Sequence, residues 1–270
     1  EMCIRDRAIP RPKNLPTVLG IDEYKGNAGG QVYQVIITDI RNHSIVDILP
    51  KRDTNALIQY FSSFSRKARK QVTYIIMDMS PLFKLVMQTM FPHAHIVADR
   101  YHVCRLVDWA VERVRKREQK ILVAHSKMLK HNRRILMKNP DRLTESEQIK
   151  LQEILRISDD LRIAYGLRLA FRKIFKTFSI HNIERHLQLW LNIVERSHLV
   201  EFNNFKLSFT NWFPQIVNAF VLPYSNGFTE GCNNKIKVLK RISYGLRHFE
   251  RFRVRILMLS KKNSTSYFHS

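Results

Sequence analysis

Three short apolar runs in this chain end in an aspartate, and that pattern constrains the fold more than any other feature. They are residues 17–22 (Thr-Val-Leu-Gly-Ile-Asp), 72–78 (Val-Thr-Tyr-Ile-Ile-Met-Asp) and 95–99 (His-Ile-Val-Ala-Asp). The second suits a strand buried on both faces. Between it and the third, the sequence predicts a helix from Pro81 to Met90, and strand–helix–strand implies a right-handed parallel crossover. Upstream, residues 31–39 and 44–49 are β-rich, with a turn at Arg41-Asn42-His43. With the first run they read as a three-strand antiparallel meander. The first hundred residues are thus α/β, a meander followed by a βαβ unit. Strands ending in acids place Asp22, Asp78 and Asp99 along one sheet edge, where open α/β sheets put their sites. Asp53-Thr54 predicts a capped helix over 55–64, and residues 66–70 read as a basic loop.

From residue 103 to about 222 the pattern turns helical. Residues 100–138 hold twelve Lys or Arg and three acids. Val107, Val111 and Val114 form an apolar line, and Arg113, Arg115, Lys116 and Arg117 a basic face. Thr144 with Glu147 makes a capping-box pair. Further helices are expected over 169–178, 183–196 and 199–210. The divisions expected are a lead-in over 1–16, a core over 17–102, an all-helical segment over 103–222, a return to the core over 223–262 and a tail over 263–270. The lead-in residues 1–7 resemble a translated adapter remnant and carry no helix or strand period.

Lys and Arg number 46 against 23 acids, a net charge of +23 with pI near 10.3. That charge points to nucleic acid or an anionic membrane surface. No apolar run approaches the roughly 18 residues of a span, so nucleic acid is the expected partner and a membrane is not. Cys3, Cys104 and Cys232 form no C-x-x-C pair, which makes a reducing, cytoplasmic compartment the expectation.

The stretch 226–245 carries the other half of the chemistry. Asn226-Gly227 marks a turn and Thr229 reads as an N-cap, so a helix should begin near Glu230. At helical spacing Glu230, Asn234, Lys237 and Arg241 fall on one stripe, and Cys232, Ile236, Leu239 and Ser243 on the opposite side. Carboxylate, amide and then positive charge suits a metal-dependent phosphate site. A solvated amphipathic helix with a dipole-friendly Glu in its first turn accounts for the stripe equally well. Residues 248–262 read as a last basic helix, with Phe249, Phe252, Ile256 and Leu259 as its core line.

Asp22, Asp78 and Glu230 are the candidate catalytic and metal-binding set. Three converging carboxylates repel unless cations accompany them, and Mg²⁺ suits them because it keeps positions open for phosphate. Two ions about 3.5–4 Å apart can serve an in-line displacement. Each acid alone reads equally as a water-facing strand end or helix start. Asp99 competes with Asp78. If the Asp78 strand borders the Asp22 strand, Asp78 reaches shared metals more easily, because an acid one strand further out sits near 10 Å from the first. Asp99 and His102 then form a possible second element, or a helix cap. Glu23 should point to the other face. His93 and His95 lack companions for a zinc set and read as structural or surface residues. Trp109, Trp190 and Trp212 read as core residues, with stacking on an unpaired base open for one of them.

These residues together resemble the DDE insertion-sequence transposases, most closely the ISL-three type. Gly20-Ile21-Asp22-Glu23 resembles the first motif of that family. Asp78-Met79-Ser80-Pro81, Phe91-Pro92 and Asp99-Arg100-Tyr101-His102-Val103 resemble its middle block. Residues 226–237, then Tyr244-Gly245, resemble its last and most specific block. The resemblance implies an RNase H-like mixed sheet with a helical insertion before the final catalytic Glu. It also implies that Asp22, Asp78 and Glu230 hold two Mg²⁺ or Mn²⁺ ions. Asp99 and His102 are similar to an element of hAT and Mutator-like relatives. Family members also carry an N-terminal cysteine-rich zinc motif and a helix-turn-helix that read the element ends. Neither motif stands in this sequence, so it resembles a truncated catalytic core.

The expected function is metal-dependent DNA cleavage and strand transfer of an insertion sequence, in a bacterial, nucleoid-associated protein that oligomerises on DNA. Asn233, Asn234, Lys237 and Arg241 are the candidates to hold DNA backbone. The alternatives are an RNase H-like nuclease without strand transfer and an inactive DNA-binding remnant.

Overall fold

The computed structural model describes residues 9–26, 30, 32–177, 182–243 and 248–265. The chain divides into two compact units, Glu1–Arg100 with Leu222–Ser270, and Tyr101–Val221.

The first unit is built on a five-stranded mixed sheet in the order β3-β2-β1-β4-β5. Its strands are β1 (Val18–Lys25), β2 (Tyr33–Asp39), β3 (Ser44–Leu49), β4 (Tyr74–Met77) and β5 (His95–Ala98). β1, β2 and β3 pair antiparallel, while β4 pairs parallel with both β1 and β5. Its architecture is compatible with the RNase H-like fold. The β2–β3 turn follows from Asp39, whose carboxylate accepts from the Arg41 and Asn42 amides at 3.0 Å each.

Helix α1 (Thr54–Ser62) starts at Asp53, which accepts from the Ala56 amide at 2.8 Å. Residues 66–70 form a short helix, α2 (Arg66–Lys70), and not a loop, because Ser65 caps the Ala68 amide. α3 (Pro81–Met90) has Ser80 as its cap and proline in its first turn, where the missing N–H costs nothing. Leu57, Phe61, Phe83, Val86 and Met87 from α1 and α3 are fully buried.

Helix α4 (Arg100–Ile121) leaves this unit. The second unit continues with α5 (Ser126–His131), α6 (Arg133–Met137), α7 (Glu145–Ile157), α8 (Asp159–Thr177), α9 (Ile183–Arg196), α10 (Asn203–Asn211) and α11 (Phe213–Val221). The Thr144–Glu147 capping box forms at the start of α7. α8 begins ten residues before the predicted start at 169 because Ser158 accepts from the Leu161 amide at 3.0 Å. The core of this unit is aromatic. Phe171, Trp190, Phe205 and Phe209 pack ring to ring, and the Trp190 indole donates to the Leu167 carbonyl at 2.9 Å.

Charge inside the second unit is paired. Arg168 is fully buried, and its guanidinium donates to Asp108 at 2.7 Å and to the Met137 carbonyl. Arg115, expected on a basic outer face, is buried and holds Glu112 with two bonds of 2.8 and 2.9 Å. A buried guanidinium is tolerated only when such partners replace water.

The chain returns to the first unit with α12 (Gly227–Ile242) and α13 (Phe249–Thr265). Cys232, Ile236 and Leu239 of α12 and Phe252 and Ile256 of α13 bury against Tyr24, Ile36 and Ile48 of the sheet. Arg253 of α13 donates to the buried Asp47 of β3 at 2.6 Å, and the Tyr60 hydroxyl donates to the same carboxylate at 3.2 Å. The expected motif residues Tyr244-Gly245, the side chain of Leu259 and most of the lead-in lie outside the described residues. Among the described residues, no helix is long and apolar enough to cross a membrane.

Candidate active site

Sheet register gathers the acids. Ile21 of β1 pairs with Met77 of β4, and Met77 pairs with Ala98 of β5. The next residues are Asp22, Asp78 and Asp99, which therefore stand at one level across three neighbouring strands. The Asp99 amide extends this ladder by donating to the Met77 carbonyl at 2.8 Å. β4 borders β1, and β5 is one strand further out, so Asp78 occupies the middle of the row.

α12 reaches this edge because residue 20 is glycine. A Cβ there would meet the Thr38 hydroxyl, the Ile40 side chain at 2.7 Å and the Thr229 hydroxyl at 2.8 Å. Thr229 is not the helix cap. Its hydroxyl is buried and hydrogen-bonded to that of Thr38 at 2.8 Å, and the helix starts at Gly227 with Asn226 before it.

Asp22 is 7% exposed. One oxygen accepts from the Glu23 amide at 2.7 Å. The other accepts from the side-chain amide of Asn233 at 2.9 Å and, more weakly, from that of Asn226 at 3.5 Å. Asn233, expected to face DNA, is buried and also donates to the Glu23 carbonyl at 3.3 Å. Its amide is committed to Asp22, which removes it from the outer face. Asn234, Lys237 and Arg241 are exposed, and Glu23 forms an ion pair with Arg52. Sequence reasoning missed Asn226, fully buried beside Asp22. The available signal was its seven-residue spacing from Asn233, which puts both on one side of a helix.

Among the described residues, one group of three potential metal ligands comes together. Asp99, His102 and Glu230 each offer an atom, and these lie within 4.8 Å of one another. Asp99 and Glu230 both belong to the first unit. His102 sits in the first turn of α4, three residues after Asp99, so local helix geometry fixes its nearness to Asp99. Asp22 and Asp78 are not members of this group. Two carboxylates suit Mg²⁺ or Mn²⁺, and the imidazole adds a softer nitrogen ligand. On donor chemistry, the residues fit a divalent cation.

His93 hydrogen-bonds the Lys70 carbonyl at 3.0 Å, and His95 stacks on Tyr74. Burial pushes the Cys232 thiol up to about 11, which leaves it an inert core residue.

Residues 19–256 match the family described as Transposase, the ISL3 type of DDE transposase. The chain belongs to this family. The chain is 25% identical over 242 residues to the transposase for insertion sequence element IS1001 of Bordetella parapertussis, covering 88% of this chain and 59% of that protein. It is 26% identical over 271 residues to the transposase for insertion sequence element IS1557 of Mycobacterium tuberculosis, covering 90% and 59%. This ISL3-type chain therefore spans about three fifths of the length of these curated relatives. A protein named ATP-dependent protease from Lactococcus lactis is 51% identical over 51 residues, only 19% of this chain and 16% of its own. So short a match carries no argument about activity.

Proposed function

We propose that this chain carries the centre that cuts DNA at an insertion-sequence end and joins the freed 3′-hydroxyl to target DNA. The observation supporting it is the approach of Glu230 to Asp99 at the sheet edge that also carries Asp22 and Asp78. In this reading Asp22, Asp78 and Glu230 hold two Mg²⁺ or Mn²⁺ ions, and Asp99 with His102 forms a second liganding element that shares Glu230. When bound, the ions neutralise phosphate charge and activate the attacking and leaving oxygens. Asn233 and Asn226 fix the orientation of the Asp22 carboxylate. Asn234, Lys237 and Arg241 hold DNA backbone from the exposed side of α12. In the joining step a 3′-hydroxyl oxygen bonds to target phosphorus, its proton leaves, and the target 3′-oxygen departs as a new hydroxyl.

Within the same reading the first unit is an RNase H-like core, and the second is a helical insertion between Asp99 and Glu230. The chain oligomerises on DNA and acts at the bacterial nucleoid. The test is to incubate the protein with labelled DNA ends, a plasmid and Mn²⁺, and to resolve cut from joined products. Joined product is expected. Cutting with no joined product would favour a nuclease, and DNA binding with neither would favour an inactive remnant.

A further inference from the structure

Helix α4 exposes a stripe that the catalytic reading leaves without a role. Tyr101, Arg105, Trp109, Arg113, Lys116 and Lys120 fall within about a third of the helix circumference. All are exposed except Arg113, which is half-buried and donates to the Glu201 carbonyl. Trp190 and Trp212 are buried as expected, but Trp109 is 45% exposed, with the Arg105 guanidinium 4.5 Å from its ring centroid. The acids of α4 are withdrawn from this face. Glu112 is buried under Arg115 and Arg133, Asp108 is held by Arg168 and Arg172, and Glu118 accepts from Ser158. Among the described residues of α4, the face therefore presents cations and aromatic rings, with none of the helix's own acids exposed on it, along about 28 Å.

Cations alone would suffice for duplex phosphates. Rings interleaved with cations suit an unpaired strand, whose bases can stack while its phosphates pair. We propose that this face of α4 holds single-stranded DNA, with a base stacked on Trp109 and phosphates on Arg105, Lys116 and Lys120. The proposal rests on the transposase reading for the source of the strand, but binding itself needs neither metal nor joining.

The experiment measures anisotropy of labelled oligo(dT), and of a duplex of equal length, with the full chain in EDTA. Trp109→Ala should weaken oligo(dT) binding by about five- to a hundredfold, with the duplex changed less than about twofold. Trp109→Phe should retain most of the affinity. Lys116→Ala with Lys120→Ala should weaken both ligands and flatten the salt dependence of oligo(dT) binding by a slope of about 1.4. Oligo(dT) should also quench the tryptophan emission of the wild type, and Trp109→Phe should remove that quench. This second reading applies even if Trp109→Ala does not fold. Unchanged oligo(dT) affinity in Trp109→Ala, a loss in that variant equal for strand and duplex, or a quench that survives Trp109→Phe would overturn the proposal. A chain that binds in this way yet fails to join DNA would leave it standing and remove the joining activity alone.

Discussion

The side-chain amide of Asn233 lies 2.9 Å from a carboxylate oxygen of Asp22, tying α12 to β1 at the edge where the acids stand. Asn233→Ala removes a buried donor to a charged group, a loss of about 1–3 kcal/mol. Asn233→Asp should cost more in EDTA, since it places a second carboxylate against the first. Mn²⁺ should then recover part of the loss. Urea denaturation with and without metal measures both. Equal stability of Asn233→Asp and the wild type in EDTA would mean that this bond does not hold the Asp22 carboxylate.

Gly20 controls how closely α12 approaches the sheet. Gly20→Ala drives a methyl into the Thr38 and Thr229 hydroxyls, and overpacking of this kind costs about 1–3 kcal/mol. In a Thr38→Ala background the same change should cost less, because the nearest obstacle is gone. A double-mutant cycle in urea reads the coupling, and additive costs would show that α12 docks independently of residue 20.

The strands were legible because their apolar runs are short and bounded, and the register that aligns Asp22, Asp78 and Asp99 follows once β4 lies between β1 and β5. Asn233 and Thr229 were misread for one reason. Each is a polar residue that local pattern sends to solvent or to a cap, yet each is satisfied by a partner about two hundred residues away, Asp22 and Thr38. Arg115 was read as surface because its spacing matches a basic face, while its burial depends on Glu112 and on the Leu129 carbonyl, which accepts from it at 3.2 Å. Long-range polar pairing leaves no periodic signal.

Divalent metal should stabilise the fold if Asp99 and Glu230 share it. At about a hundred times the dissociation constant the gain is about 2.7 kcal/mol. Melting with and without Mn²⁺ should show a rise in the wild type that Glu230→Gln and Asp99→Asn each largely abolish. An undiminished rise in both variants would place the metal elsewhere.

Glu112 sets an acid limit for the helical unit. Burial pushes its carboxyl up, but the hydrogen bonds from Arg115 and the charges of Arg115, Arg133 and Lys116 outweigh that and hold it below its ordinary value of 4.5. A depressed folded value means the stabilisation is present above 4.5 and is lost as pH falls through the lower folded value. Glu112→Gln leaves the buried Arg115 without its anion and should cost about 3 kcal/mol at pH 7. The gap between wild type and variant should narrow as pH falls below 4.5, as read from urea midpoints. A gap independent of pH would show that the carboxylate charge is not what stabilises this pair.

The most direct measurement is strand joining in Mn²⁺ by the wild type against Glu230→Gln, with duplex affinity determined for both. Glutamine keeps the shape and removes the charge. Joined product from the wild type, reduced by more than about a hundredfold in Glu230→Gln (about 2.7 kcal/mol in the barrier) at unchanged duplex affinity, is the expected result. Joining by Glu230→Gln at the wild-type rate would contradict a catalytic centre built on Glu230.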